Sequence, residues 1–257
     1  MKSIRQIAAA AALVFVAASP ALAQSTTFQN GSFDANSLTG WQTYGDVRTV
    51  NGRVSMTTAS TAYDDDNLGA GNEGFLNESG TAAVDFFNEP TLAGIPVTSF
   101  DIDGGYGYEG SAIRQSFSAL AGTTLNVSFD WAFSSTDTFS PDFGFIAIND
   151  SVHKFVDTGS QYLTGKFLGS FVDAQNVTWN WFNSTYSYQA NTDGSLALAL
   201  GVVDINDASY TSRLRIDNVT VSAVPEPETY ALMLAGLGVL AGAMRRRQRA
   251  QKDQAAA

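Results

Sequence analysis

Hydrophobic and polar residues alternate along several stretches of this chain, and the pattern predicts β-strands. Apolar side chains occupy every second position from Leu125 to Phe133, which predicts a half-buried strand of about nine or ten residues. A second strand is predicted at Leu196–Val202, where large apolar residues alternate with alanine and glycine. The segment Phe143–Ile148 is almost continuously apolar, so it predicts a central strand covered on both faces.

The last strand of this series has a break in its alternation. Leu214 and Ile216 set the apolar phase, and the phase moves by one residue at Asp217-Asn218 before Val219. A strand changes phase only through a bulge or a break. A bulge at this point is either purely structural or turns the Asp217 carboxylate and backbone carbonyls outward, as part of an oxygen cage for a hard cation.

Because many short strands are separated by glycine turns, the fold class is predicted as all-β, a β-sandwich of the jelly-roll type.

Each end of the chain carries one hydrophobic stretch. Residues 1–23 combine a basic start, an apolar run and the small-residue site Ala21-Leu22-Ala23, which predicts a signal peptide removed before Gln24. Residues 229–244 predict a single C-terminal transmembrane helix of roughly 24 Å. The arginines of 245–249 can snorkel to the headgroups of a ~30 Å hydrocarbon core, and they place that end in the cytoplasm.

This organisation leaves one β domain over residues 24–223, followed by a C-terminal segment at 224–249 and a polar tail at 250–257. The β domain holds 22 acidic and 7 basic residues, a net charge of −15. Such an excess argues against a nucleic-acid partner and suits calcium binding or a solvated extracellular surface. The chain has no cysteine, so stability rests on packing and on any bound ion.

The C-terminal segment resembles a known sorting signal. Val224-Pro225-Glu226-Pro227, a glycine-containing apolar span and Arg245-Arg246-Arg247 follow one another in the order of a PEP-CTERM signal. The resemblance implies an inner-membrane precursor in a Gram-negative bacterium, cleaved near Pro-Glu-Pro by an exosortase-type membrane protease. It also implies release to the cell surface or into an exopolysaccharide matrix. The alternative is a plain membrane anchor, with the Pro-Glu-Pro motif as a stiff linker.

Three parts of the β domain resemble galactose-binding-like, jelly-roll carbohydrate-binding modules. They match the opening, middle and closing strands of those modules, at Asn30–Trp41, Ala112–Asp130 and Ile216–Val221. Such modules often bring the first and last strands together at a structural calcium. By this resemblance, the carboxylates of Asp34 and Asp217 are the expected calcium ligands.

A glycan site needs an aromatic platform with polar groups at its rim, since aromatic faces stack on the apolar faces of pyranose rings. Five residues are candidates for a platform: Tyr106, Tyr108, Trp181, Tyr186 and Tyr188. Packing between the sheets is the alternative role for each, and the three other tryptophans, Trp41, Trp131 and Trp179, are predicted to be core. The acidic run at 64–67, with Glu73 and Glu78 nearby, is either a solvated loop or a cation site.

The sequence predicts a protein that is not an enzyme. It has no cysteine, its one histidine is His153, and no serine lies in a G-x-S-x-G elbow. Three functions therefore stay open. The first is a non-catalytic, exosortase-sorted surface or matrix protein, the second is a carbohydrate-binding module with a specific glycan ligand, and the third is a polysaccharide-degrading enzyme that uses two carboxylates.

Overall fold

The computed structural model of the protein describes residues 28–61, 77–135, 137, 139–159, 164–173, 176–224 and 227–255. The predicted signal peptide, the acidic run at 64–67, Glu73, and Pro225 and Glu226 of the sorting motif lie outside these residues. The chain divides into two compact units, one of residues 24–230 and the other of residues 1–23 and 231–257.

Residues 24–230 contain two main antiparallel sheets. The first sheet consists of β1 (Gln42–Tyr44), β4 (Val84–Asp85), β7 (Gly107–Ala119), β9 (Phe143–Ile148), β10 (Ser151–Asp157) and β13 (Gly194–Ile205). Its order is β1-β7-β13-β9-β10, and β4 also pairs with β7.

The second sheet consists of β2 (Asp46–Val50), β3 (Arg53–Thr57), β8 (Thr124–Ser134), β11 (Lys166–Val172), β12 (Thr178–Gln189) and β14 (Arg213–Val224). Its order is β11-β12-β8-β14-β3-β2. The chain crosses between the sheets after β1, β3, β7, β8, β10, β12 and β13, as expected for a jelly roll. The predicted all-β sandwich of the jelly-roll type is therefore confirmed.

The predicted strands form the main core between the two sheets. Along β8 the alternate residues Leu125, Val127, Phe129 and Trp131 are buried, as the periodicity predicts. All six residues of β9 are buried, because this strand lies between β13 and β10 and is covered on both faces.

A second apolar layer covers the outer face of the first sheet. The short strands β5 (Thr91–Leu92) and β6 (Ile95–Pro96) and a 3-10 helix at Val97–Phe100 supply this cover. Neighbouring strands also require a small residue on β13, since an added Cβ at Gly201 would lie 2.5 Å from the Ser111 carbonyl oxygen and 2.6 Å from the Phe145 ring.

The opening segment, Asn30–Trp41, contains no strand, so its match to the opening strand of carbohydrate-binding modules is wrong at the level of secondary structure. Asn30, Phe33 and Asn36 have φ values of 52°, 50° and 48°, which an extended strand does not allow. The segment still fills the core, because Phe33 and Trp41 are buried there.

The opening segment also meets the final strand, as the resemblance implies. The Val219 N–H donates to the Gly31 carbonyl at 2.9 Å. The predicted bulge in β14 is confirmed beside this contact, since the register against β8 shifts by one residue between Asp217 and Thr220. Asn218 accommodates the bulge with a φ of 49°.

The helix α1 (Pro227–Ala255) includes the predicted span at 229–244, and its residues from 231 onward belong to the second unit. Within the part of the chain that the structure describes, no helix is both long enough and apolar enough to cross a membrane.

Candidate functional site

An aromatic pocket lies where β4 and the start of β7 meet the loop before β7. The aromatic side chains of Phe87, Tyr106 and Tyr108 line a depression of about 390 Å³. The rest of its wall comes from Phe86, Val97, Thr98, Asp101, Gly107 and Asn206. Phe87 and Tyr106 are 74% and 67% exposed, so their faces are open to a ligand.

Local hydrogen bonds hold Phe87 outward. The Asp85 carboxylate accepts from the Phe87 N–H at 2.8 Å and also from the Asn88 side-chain amide, which forms a tight turn. Within this turn Phe86 points inward and stacks on Phe100 at a centroid distance of 5.6 Å. Phe87 then meets the Tyr108 ring edge-on at 4.8 Å.

Tyr106 is positioned through its backbone, which leaves the ring free. Its N–H donates to the Asn206 side chain at 3.0 Å, and its carbonyl accepts from the Asn206 N–H at 2.8 Å. The next residue, Gly107, donates to the Asp101 carboxylate at 3.1 Å. A β-carbon on Gly107 would lie 2.9 Å from the Phe86 ring, so the close approach of this loop needs glycine. The pocket thus combines exposed aromatic faces with a carboxylate and an amide, the set that orients a sugar ring.

Trp181 lies elsewhere, in a groove of about 340 Å³ on the outer face of the second sheet. Its neighbours there include Arg53, Asp130, Asp217 and Asn218. The Arg53 guanidinium lies 4.7 Å from the centre of the indole ring, and Trp181 is only 8% exposed. Because a cation already covers this ring, the groove offers less stacking surface than the aromatic pocket.

Tyr186 and Tyr188 pack against the main core. They lie on β12 opposite Val127 and Leu125 of β8, on the side that faces the first sheet. The Tyr186 ring contacts the His153 ring at 4.6 Å, and burial raises the pKa of its phenol. The two tyrosines therefore take the alternative role, packing between the sheets, and do not join Tyr106 and Tyr108.

The three remaining tryptophans are buried, as predicted, but in two different places. Trp41 and Trp131 belong to the main core between the sheets. Trp179 packs with Trp181 and Ala132 in a small separate cluster. The Arg215 guanidinium lies 3.8 Å from the centre of the Trp179 ring and is itself paired with Asp173 at 3.2 Å. Burial lowers the pKa of Arg215, and its acidic neighbours oppose that shift.

The bulge of β14 brings the two predicted calcium ligands into electrostatic range. Burial raises the pKa of Asp217, and the charges of Asp130 and Asp34 add to this, while the Asn218 N–H and Arg53 oppose it. The Asp217 carboxylate accepts from the Asn218 N–H at 2.7 Å and lies 3.6 Å from the Arg53 guanidinium. The bulge already has a positive partner in Arg53, so calcium at Asp34 and Asp217 stays a prediction.

His153 offers no catalytic triad within the described residues. Its Nε2 atom lies 3.0 Å from the Ser151 hydroxyl, two positions away on the same strand. No carboxylate of the described residues hydrogen-bonds to the imidazole, and burial lowers its pKa. The arrangement lacks the third group that orients a catalytic histidine.

The C-terminal segment has a match among known families. Residues 223–248 match the PEP-CTERM protein-sorting motif, which confirms the predicted sorting signal. The motif identifies the chain as an exported, sorted protein. No curated protein sequence matches the chain.

Among solved structures, two carbohydrate-binding modules are similar to this chain. A CBM4 module has 14% sequence identity and a TM-score of 0.38, covering 75% of this chain and 100% of its own. TmCBM61, solved with β-1,4-galactotriose, has 9% identity and a TM-score of 0.37, with coverage of 77% and 99%. A tailspike protein of bacteriophage CBA120 has 13% identity and a TM-score of 0.30, and this chain spans 21% of its length. Because these sequence identities and TM-scores are low, the fold assignment rests on the strand pairing described above.

Proposed function

We propose that this chain is a non-catalytic protein of an extracellular polysaccharide matrix, and that it binds a saccharide in the aromatic pocket. The observation that carries the proposal is the convergence of Phe87, Tyr106 and Tyr108, two of them mostly exposed, beside Asp101 and Asn206. Exposed aromatic faces cost free energy in water, and a pyranose ring covers them while its hydroxyls reach the polar rim.

The sorting motif supports the matrix location. In this proposal an exosortase-type protease cleaves an inner-membrane precursor near Pro-Glu-Pro and releases residues 24 to about 224 at the cell surface of a Gram-negative bacterium. The released domain carries the net charge of −15, because half of the 14 basic residues lie outside residues 24–223. Such a surface stays soluble in a hydrated matrix.

Replacing Tyr106 by alanine is expected to weaken saccharide binding about tenfold or more, since one stacking face is lost. The measurement is a polysaccharide array on residues 24–230, followed by isothermal titration with the best ligand. Phe87→Ala should act in the same direction. Phe139→Ala is the matched control, because Phe139 is 85% exposed and does not line the pocket.

If the array shows no binding above background, saccharide binding is excluded, and the proposed function is reduced to that of a sorted matrix protein. Binding that is unchanged in both pocket variants but lost in Trp181→Ala would move the site to the groove on the second sheet. Hydrolysis of a bound polysaccharide by the wild type would instead support the enzyme with two carboxylates.

The proposed cleavage by an exosortase-type protease leads to a separate prediction. Mass spectrometry of protein released from the native host should give a C-terminus near Val224–Pro227, because the sorting motif directs cleavage there. A Glu226→Ala variant should keep its full C-terminus, including Arg245–Arg249. Released wild-type protein that still carries these arginines would contradict exosortase processing and favour a plain anchor.

A further inference from the structure

Five acidic side chains gather at one end of the sandwich, and together they form the buried carboxylate cluster. Its members are Glu109, Asp137, Asp142, Asp204 and Asp207. Asp204 on β13 pairs with Glu109 on β7. The Asp142 carboxylate accepts from the N–H of Ile205, the residue after Asp204, at 3.1 Å.

Hydrogen bonds through Ser140 tie the other two members together. The Ser140 hydroxyl donates to Asp207 at 2.8 Å, and the Ser140 N–H donates to Asp137 at 3.1 Å. The cluster is therefore assembled from three parts of the chain: strand β7, the segment before β9, and the end of β13 with the turn that follows it.

Asp204 lies where a core residue belongs. It comes two positions after Val202, which is in the main core, so alternation along β13 points its side chain to the interior. Asp204 is 0% exposed, and neither of its carboxylate oxygens has a hydrogen-bond partner. Asp137 Oδ2 and the Thr211 hydroxyl are also buried without a partner, at 4% and 3% exposure. Buried polar groups without partners are rare in folded proteins, and an ion or ordered water is a usual reason for them.

The charges around Asp204 are all of one sign. Burial raises the pKa of Asp204, and the charges of Asp142, Glu109, Asp207 and Asp137 raise it further. Burial likewise raises the pKa of Asp142, against hydrogen bonds from Ser212 and Ile205. Among the described residues, the charges that shift the pKa of Asp204 and of Asp142 are acidic.

We infer that the buried carboxylate cluster binds a hard divalent cation of the calcium class, with the Asp204 carboxylate as the principal ligand. The donors are carboxylate and hydroxyl oxygens, which suit calcium, and its flexible coordination by six to eight oxygens tolerates an irregular set. Among the described residues, no group of three acidic or histidine side chains stands ready to hold a metal. In this proposal the ligand set has two carboxylates, Asp204 and Asp137, because each has a buried oxygen without a hydrogen-bond partner, and the Thr211 hydroxyl and water complete it. This site is separate from the aromatic pocket and from the bulge at Asp217.

The test compares thermal unfolding of residues 24–230 in EDTA and in millimolar CaCl₂. Calcium should raise the melting temperature of the wild type by about 5 °C or more, because a ligand that binds only the folded state stabilises it. Asp204→Asn should lose this shift, and in EDTA it should melt at the same temperature as the wild type or higher, since it removes an unpaired charge. Asp217→Asn is the matched control and should keep the calcium shift.

Equilibrium dialysis with calcium gives a second readout, and Asp137→Asn gives a second variant if Asp204→Asn does not fold. One bound ion per wild-type chain and a loss of binding in either variant would support the inference. A wild type that neither binds calcium nor shifts its melting temperature would overturn it, and the cluster would then hold its carboxyl groups protonated. A shift lost in Asp217→Asn but kept in Asp204→Asn would also overturn it and assign the ion to the bulge.

Discussion

Gly31→Ala is expected to lower the free energy of unfolding by about 3 kcal/mol or more. A β-carbon at this position would lie 1.9 Å from the Val219 carbonyl oxygen and 2.9 Å from its carbon. These are backbone atoms, so no side-chain rotation relieves the overlap. The opening segment would have to leave the bulge of β14, and the hydrogen bond from the Val219 N–H to the Gly31 carbonyl would be lost.

Thermal unfolding followed by circular dichroism should show this as a fall in melting temperature of roughly 6–12 °C. Ser32→Ala is the control, because it lies next to Gly31 and adds no atom. If the two variants melt within a degree of each other, the contact between the opening segment and β14 does not contribute to stability, and the match to the ends of a jelly-roll module loses its structural basis.

Trp131→Ala should destabilise the sandwich by about 3–5 kcal/mol, since it removes one of the largest side chains of the main core. Trp131 is 1% exposed, stacks on Phe182 at 4.8 Å, and packs against Phe155 at 5.2 Å. Its indole N–H donates to the Ser184 hydroxyl at 2.9 Å. Trp131 connects the two sheets, because Phe155 lies on the first sheet and Phe182 lies on the second. The alanine variant loses both contacts.

Urea unfolding of Trp131→Ala and Trp131→Phe separates packing from the hydrogen bond. Phenylalanine keeps most of the buried area and loses the indole donor, so it should cost roughly 1–2 kcal/mol. Phe139→Ala, at an 85% exposed position, should change little. Equal losses for the two tryptophan variants would show that the bond to Ser184 outweighs the packing.

The strands were predictable where the burial of one face, or of both faces, sets the spacing of the apolar residues. The alternation over Leu125–Phe133 matches β8, and the continuous apolar run at Phe143–Ile148 matches β9, because burial requires those periods. The opening segment was not predictable in the same way. The chain turns there through left-handed residues, Asn30, Phe33 and Asn36, and the hydrogen bond from the Val219 N–H to the Gly31 carbonyl joins the segment to a strand that is distant in sequence.

The candidate site was predictable only in part. Tyr106 and Tyr108 were found because a glycine-rich loop beside aromatics indicates a binding surface, but Phe87 was missed. Its signal was the segment Asp85–Asn88, since an Asp and an Asn three positions apart favour a tight turn, and a turn at the surface can expose an aromatic side chain. Tyr186 and Tyr188 could not be assigned to a face, because polar residues alternate with them and either side of β12 was open.

The burial of Asp204 could be predicted from the alternation of residues along β13, although Asp204 belongs to no sequence motif. It continues the series Leu196, Leu198, Leu200 and Val202, so its position predicts a charge in the core. What no sequence pattern shows is that Asp142 and Asp137, more than 60 positions earlier, lie beside it. That proximity depends on the crossings of the chain between the two sheets.

The place where β14 ends has a consequence for the timing of maturation. The strand remains paired up to Val224, opposite Thr124 at the start of β8, and the sorting motif begins at that same residue. Under the proposed processing, a protease that needs an unpaired peptide would reach the cleavage point of a folded precursor only while the strand end is frayed. The last five residues of β14 are exposed or half-buried, and such ends open at low cost. If the proposed processing holds, folding and cleavage compete for the same few residues, and a more stable end to β14 is expected to slow the release of the protein.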